Sequence, residues 1–199
     1  MRIKKIIVLC FLAAISVSGC QIKKHIPEGE LLYTGATLEI EKPDDLEDFK
    51  LVQEELEGLL RPEPNSKFLG MYFGLWAHYK AEKEKPGFIN RFFNKTFGEE
   101  PVYFSQVNPS RTEELILNRL ESRGFFYSSA SSEVNAVEKF AEVNYTASVS
   151  HPYVLTELKL ERDSLQIEHE IQGILSETKL KAGSRFDLNS LNQERDRID

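Results

Sequence analysis

The residues best suited to chemistry are few. Cys10 and Cys20 are the only thiols in a chain of 199 residues. Cys10 lies inside the apolar run Ile6–Ile15, and Cys20 follows it behind Val17-Ser18-Gly19. With one thiol inside that run, no disulfide framework can form in the rest of the chain. The four histidines, His25, His78, His151 and His169, are scattered. None has the His-x-x-x-His or Cys-x-x-Cys spacing that holds a metal. There is no Gly-x-Ser-x-Gly elbow and no phosphate-cradling glycine loop. The paired acids Glu54-Glu55 and Glu113-Glu114 suit solvated helix faces, and Asp44-Asp45 suits a helix N-terminus. These types and spacings predict no catalytic residues, no metal and no cofactor.

Cys20 is the exception. Met1-Arg-Ile-Lys-Lys5 is a positive lead into the apolar run, the form of a secretory signal. The small residues before Cys20 resemble the lipobox of bacterial lipoproteins. That resemblance implies cleavage after residue 19, a diacylglycerol thioether on Cys20 and an acylated, palmitate-type α-amine. Several chains anchor stably where one binds marginally. Gln21, standing where such lipoproteins carry an inner-membrane Asp, points to the outer membrane. The same residues also fit an ordinary cleaved signal. A retained anchor is the third reading, though the run is short for a span.

The net charge is −7, with 41% hydrophobic and 29% charged residues. That balance suits a folded chain and excludes both disorder and a polytopic helical membrane protein. Removing residues 1–19 takes away Arg2, Lys4 and Lys5 and leaves −10. So acidic a chain is no general nucleic-acid binder.

The elements can be read from periodicity. Residues 20–30 form a polar lead. Leu31–Ile40 alternates and predicts a strand, with Leu32, Thr34, Ala36, Leu38 and Ile40 on one parity. Leu46–Leu60 predicts a helix, stopped by Pro62 and Pro64. Ser105 or Asn108 caps a helix that Pro109 opens and Gly124 closes, with Leu115, Ile116 and Leu120 inside it. Phe125–Val137 predicts a strand, Glu138-Lys139 a turn, and Phe140–Val149 a half-buried strand in which Phe140, Glu142, Asn144, Thr146 and Ser148 alternate with Ala141, Val143, Tyr145, Ala147 and Val149. After His151-Pro152, Val154–Leu160 predicts a strand, Asp163–Glu177 a helix, and Phe186-Asp187-Leu188 the start of another. Phe104 and Ile116 recur as Phe186 and Ile198, both 82 positions on. The second stretch therefore repeats the first and stops in mid-helix.

Between these elements lies an aromatic insert, residues 62–100. Nine of the 21 aromatic residues fall between Phe68 and Phe97. Phe68, Tyr72, Trp76 and Tyr79 step at helical spacing, and Phe88, Phe92, Phe93 and Phe97 do so again beyond Pro86-Gly87. The spacing predicts two short amphipathic helices. Lys67, Lys80, Lys83, Lys85, Arg91 and Lys95 stand against Glu82 and Glu84. Basic and aromatic residues together suit a membrane or partner surface. They equally suit aromatics that complete a small core.

The order β-α-α-β-β, given twice, resembles POTRA domains, the periplasmic modules of the BamA/TamA outer-membrane assembly family. Cys20–Gly35, Leu60–Lys80, Val107–Phe126 and Phe186–Ile198 carry the resemblance, closest to the TamA-like lipoproteins of Bacteroidetes. It implies an α+β fold of tandem POTRA-like modules: residues 31–150 with the insert, then an incomplete module over 151–199. It also implies a non-catalytic role in assembling or translocating outer-membrane proteins. Outer-membrane client polypeptides and an AsmA-like, TamB-type periplasmic protein would be the partners, and the soluble domains would face the periplasm. The C-terminal barrel of that family is not within these residues. Family topology puts the strand over 126–137 at a sheet edge, where Ser128-Ser129-Ala130-Ser131-Ser132 is small and accessible. A stand-alone envelope lipoprotein with a scaffold role is the alternative.

Overall fold

Three strands and five helices follow from these patterns in a computed structural model, which describes residues 22–82, 87–158, 177–178 and 180–198. The leader, Cys20 and the predicted helix Asp163–Glu177, save its last residue, lie outside the described residues, as do Lys83, Glu84 and Lys85.

The strands are β1 (Leu32–Glu41), β2 (Ser129–Val137) and β3 (Phe140–Ser148). The helices are α1 (Lys50–Glu57), α2 (Phe73–Ala81), α3 (Phe88–Phe97), α4 (Pro109–Ser122) and α5 (Leu188–Ile198). The class is α+β, and the sheet order is β1-β3-β2. Thr34 Oγ1 donates to the Ala141 carbonyl and Thr37 Oγ1 to Asn144 Oδ1, both across 107 residues. A constant separation marks a parallel pair, which needs a long crossover. Residues 42–139 supply it. The turn Glu138-Lys139 instead joins β2 to β3 as an antiparallel hairpin, with Glu138 at φ 56°.

Chain contacts divide the described residues into two compact units, one drawn from 22–37, 60–109 and 133–144 and the other from 38–59, 110–132 and 145–198. The first unit has a core of Ile22, Ile26, Leu32, Leu75 and Tyr79, with Tyr72, Trp76, Tyr103 and Phe140 packed against it. The lead is thus docked, not a free polar tether. Lys23 forms an ion pair with Glu138, Lys139 Nζ donates to the Pro27 carbonyl at 2.9 Å, and His25 stacks on Tyr79 at 5.0 Å. Tyr33 is buried as well as Leu32, which breaks the alternation expected of β1. The cause is a second neighbour on that side. Tyr33 N–H donates to Val102 O, and Phe104 N–H donates to Leu31 O.

The second unit buries Phe49, Val52, Leu56, Ile116, Leu120, Phe125 and Tyr145. Thr112, Ile116 and Leu120 put one stripe of α4 inside. α1 starts at Lys50, later than its spacing predicts, because Asp48 sits at φ 52° and cannot continue a helix. It ends at Gly58, before the prolines. β2 likewise starts at Ser129, not Phe125. Gly124 turns the chain at φ 92°, Phe125 drops into the core against Phe49, and Phe126 turns to meet Tyr153 and Phe186. Of the predicted strand Val154–Leu160, the described part makes one bridge, Val154 to Arg185.

Candidate functional site

Two surfaces are candidates, the aromatic insert and the free edge of β2.

The insert lies within the first unit. Its expected helix through Phe68 begins only at Phe73, because Leu69 and Gly70 both take positive φ, 50° and 78°. That pair makes a two-residue hairpin, closed by Phe68 N–H to Met71 O at 2.9 Å and Met71 N–H to Phe68 O at 3.0 Å. Gly suits that conformation, whereas Leu adopts it at a cost. α2 and α3 follow, on either side of residues 83–86.

The eight aromatics singled out by spacing divide between inside and outside. Tyr79 is 7% exposed and is a core residue, not a surface one. Its hydroxyl lies 3.1 Å from that of Tyr103, and burial raises its pKa. Tyr72 and Trp76 pack against the same core. Lys67 and Lys80 sit over their rings at 5.0 and 5.9 Å. The outward set is Phe68, Phe88, Phe92 and Phe97, at 69%, 85%, 57% and 51% exposure, and Phe93 is half-buried. Leu69 and Ile89 are exposed as well.

Phe73 was not among the eight, yet it joins the two helices. Its ring meets Trp76, Phe93 and Phe97 at 5.7, 6.2 and 5.8 Å. The run Tyr72-Phe73 was the only signal for it. Phe68, Met71, Phe73 and Phe97 line an apolar groove of about 720 Å³. Ser66, Thr96 and Glu99 are its polar lining. Burial pushes the Glu99 carboxyl up, but hydrogen bonds from the Ser66 side chain and N–H and from Asn65 outweigh it and hold it low. Gly74 lets Glu99 approach, since a Cβ there would sit 2.8 Å from its Cγ.

Among the described residues β2 is an edge strand with only β3 beside it. Ser129, Ser131, Glu133, Val134, Ala136 and Val137 are exposed along it. Ser132 Oγ donates to Glu113 on α4, so that side chain faces the helix. An uncovered edge leaves backbone donors and acceptors open to another strand. At the opposite edge the start of β1 is already paired by residues 102–104.

The helix end before β2 is held by charge. Arg123 Nε donates to Glu55 Oε2 at 3.0 Å, its Nη2 to Glu55 Oε1, and its Nη1 to Asp187 Oδ2 at 2.5 Å. The Arg123 hydrogen bond keeps the Glu55 pKa low against the cost of burial. Burial raises Asp187, but Arg123 and the Ser190 N–H overcome that. Asp187 caps α5 through Ser190 at 2.9 Å. This cluster is structural.

Among the described residues no cluster of three or more His, Cys, Asp or Glu could hold a metal. No described helix is long and apolar enough to cross a membrane. No family model matches the chain, and no curated protein matches it. Among solved structures, the crystal structure of Haemophilus influenzae BamA POTRA3-5 aligns over 87% of this chain and 87% of that one. The identity is 11% and the TM-score 0.29, a likeness too slight to bear on function.

Proposed function

We propose that this chain is a non-catalytic docking segment of an outer-membrane protein assembly factor, facing the periplasm and held at the membrane by lipid on Cys20. Residues 31–150 form a POTRA-like module with the insert 62–100, and 151–199 begin a second. The clients are outer-membrane polypeptides, and an AsmA-like, TamB-type protein is the periplasmic partner. The observation that supports this reading best is the free β2 edge. A strand added there gains main-chain hydrogen bonds whatever its side chains, which suits a module that must accept many sequences. The Ser129-Ala130-Ser131-Ser132 start of β2 offers little steric hindrance.

Ser131→Pro and Ser132→Pro test it. Successive strand residues send their N–H groups to opposite sides. One proline therefore removes an outward donor and spares the ladder, and the other breaks a bond to β3. The variant that keeps its melting temperature is expected to bind a chemically unfolded porin about tenfold more weakly, for about 1.4 kcal/mol of lost main-chain bonding. Binding by that variant equal to the parent's refutes edge docking.

A further inference from the structure

We infer that the insert enters the headgroup region of an anionic bilayer, with α3 and the Phe68–Met71 hairpin as its immersed face. The inference rests on the anchored reading above and gives the anchored module a second, protein-borne membrane contact.

Three observations carry it. The first is a continuous apolar surface within one unit. Ring contacts run from Phe92 to Phe93 at 6.0 Å, from Phe93 to Phe97 at 6.3 Å, and from Phe97 to Phe73. Phe68 shares a groove with Phe73 and Phe97, so the hairpin tip belongs to the same surface. Phe88 and Ile89 extend it by one turn of α3, none of whose residues is buried. Isolated apolar residues on a surface mean little, but a joined set on one helix face marks an interaction site. The hairpin holds Leu69 at φ 50°, an unfavourable backbone, and leaves it exposed.

The second is charge. In α3 the exposed Arg91 and Lys95 fall on the helix flank beside Phe88 and Phe92, and exposed Lys67 precedes the hairpin. The whole chain is at −7, so most of it is repelled by an anionic surface. Cations set beside the apolar patch are complementary to lipid phosphate, and long basic side chains can bury their stems while the charge stays in water.

The third is reach. Ile22 is buried against a core that includes Leu75 and Tyr79 of α2, the helix that also carries Phe73. Only Gln21 separates it from Cys20, and the two chain steps between them span at most about 7 Å. A lipid on Cys20 would therefore hold the unit that bears the insert close against the bilayer.

Trp76, the only tryptophan, stacks on Phe73 and reports on this surface. The full chain would be reconstituted into phosphatidylethanolamine–phosphatidylglycerol vesicles with brominated acyl chains. Insertion to the about 5–10 Å depth of interfacial helices should remove about half of the Trp76 emission. Phe88→Glu with Phe92→Glu should still float with the vesicles and lose that quenching. Ile89→Lys serves as a second, smaller perturbation if the double variant melts early. A chain that floats without quenching overturns the inference and leaves the anchor standing. Equal quenching in a folded variant also overturns it. A chain that does not float overturns the anchor and the inference together. Patch-dependent self-association or porin binding without quenching would give the surface to protein and overturn the lipid assignment.

Discussion

Arg123 is the most consequential single side chain in the second unit. It closes α4, reaches back to Glu55 on α1 and forward to Asp187, which caps α5. Its side chain is 13% exposed, as is that of Asp187, and Glu55 is at 19%. Arg123→Met keeps most of the stem and removes the charge. Two carboxylates then lose their main partner while largely out of water. Glu55 retains Arg119 at 3.4 Å, and Asp187 retains the Ser190 N–H. Breaking one side of a buried pair costs about 3–5 kcal/mol, and the retained partners favour the low end, about 3 kcal/mol. In a chain of this size that lowers Tm by about 6–12 °C. Circular dichroism melts and urea titrations at pH 7 read it directly. Glu55→Met combined with Arg123→Met should cost less than the two single changes added together, because it no longer leaves that carboxylate behind. A Tm shift under about 2 °C would class the cluster with surface pairs, which contribute little, and would refute the role given to Arg123.

Two further outcomes follow from the same geometry. Gly124→Ala places a Cβ 2.7 Å from the Phe186 carbonyl oxygen at a φ of 92°. The left-handed penalty plus that backbone clash should cost about 2 kcal/mol, seen as a lower urea midpoint with an unchanged slope, and an unchanged midpoint would show that the turn is not constrained. Acid should also destabilise the fold. Glu55, Glu99 and Asp187 are all held below their ordinary values of 4.5, 4.5 and 3.8. Their unfolded forms bind protons first, so this stability is fully present above those values and is lost as pH falls through the lowered folded ones. Tm measured from pH 7 to pH 3 should fall on the acid side, more gently in Arg123→Met; parallel acid limbs in the two proteins would sink the assignment.

Much of the sheet was legible because its faces differ. Ala141, Val143, Tyr145 and Ala147 are buried as their alternation requires, and the outward parity of β3 is less so. β1 follows its pattern from Ala36 onward. At Leu32-Tyr33 it does not, because residues 102–104 pair there from some 70 positions away, and no local pattern records a distant neighbour. The late start of α1 has a similar origin. Asp48 carries no mark of its left-handed backbone, whereas Gly70, Gly124 and Gly183 advertise theirs.

The aromatic insert shows the limit most clearly. Steps of four residues count positions, not backbone states. Phe68 thus read as part of a helix, although Leu69-Gly70 turns the chain before the helix begins. Inside the insert, residue type gave no way to tell α2 from α3, since both are short, aromatic and basic. What separates them is a partner. α2 packs Leu75, Trp76 and Tyr79 against Ile22 and Ile26 of the lead, a segment whose lysines and histidine made it read as polar. Two of those side chains are themselves engaged, Lys23 over the Phe140 ring and His25 stacked on Tyr79. α3 meets α2 mainly through Phe73, and its own phenylalanines stay half-exposed or exposed. Docking of the lead therefore draws Tyr72, Trp76 and Tyr79 into a core and leaves Phe68, Phe88, Phe92 and Phe97 at the surface. The two readings of the insert that compete in the sequence thus divide between its residues, core packing for the inward set and an exposed surface for the outward one.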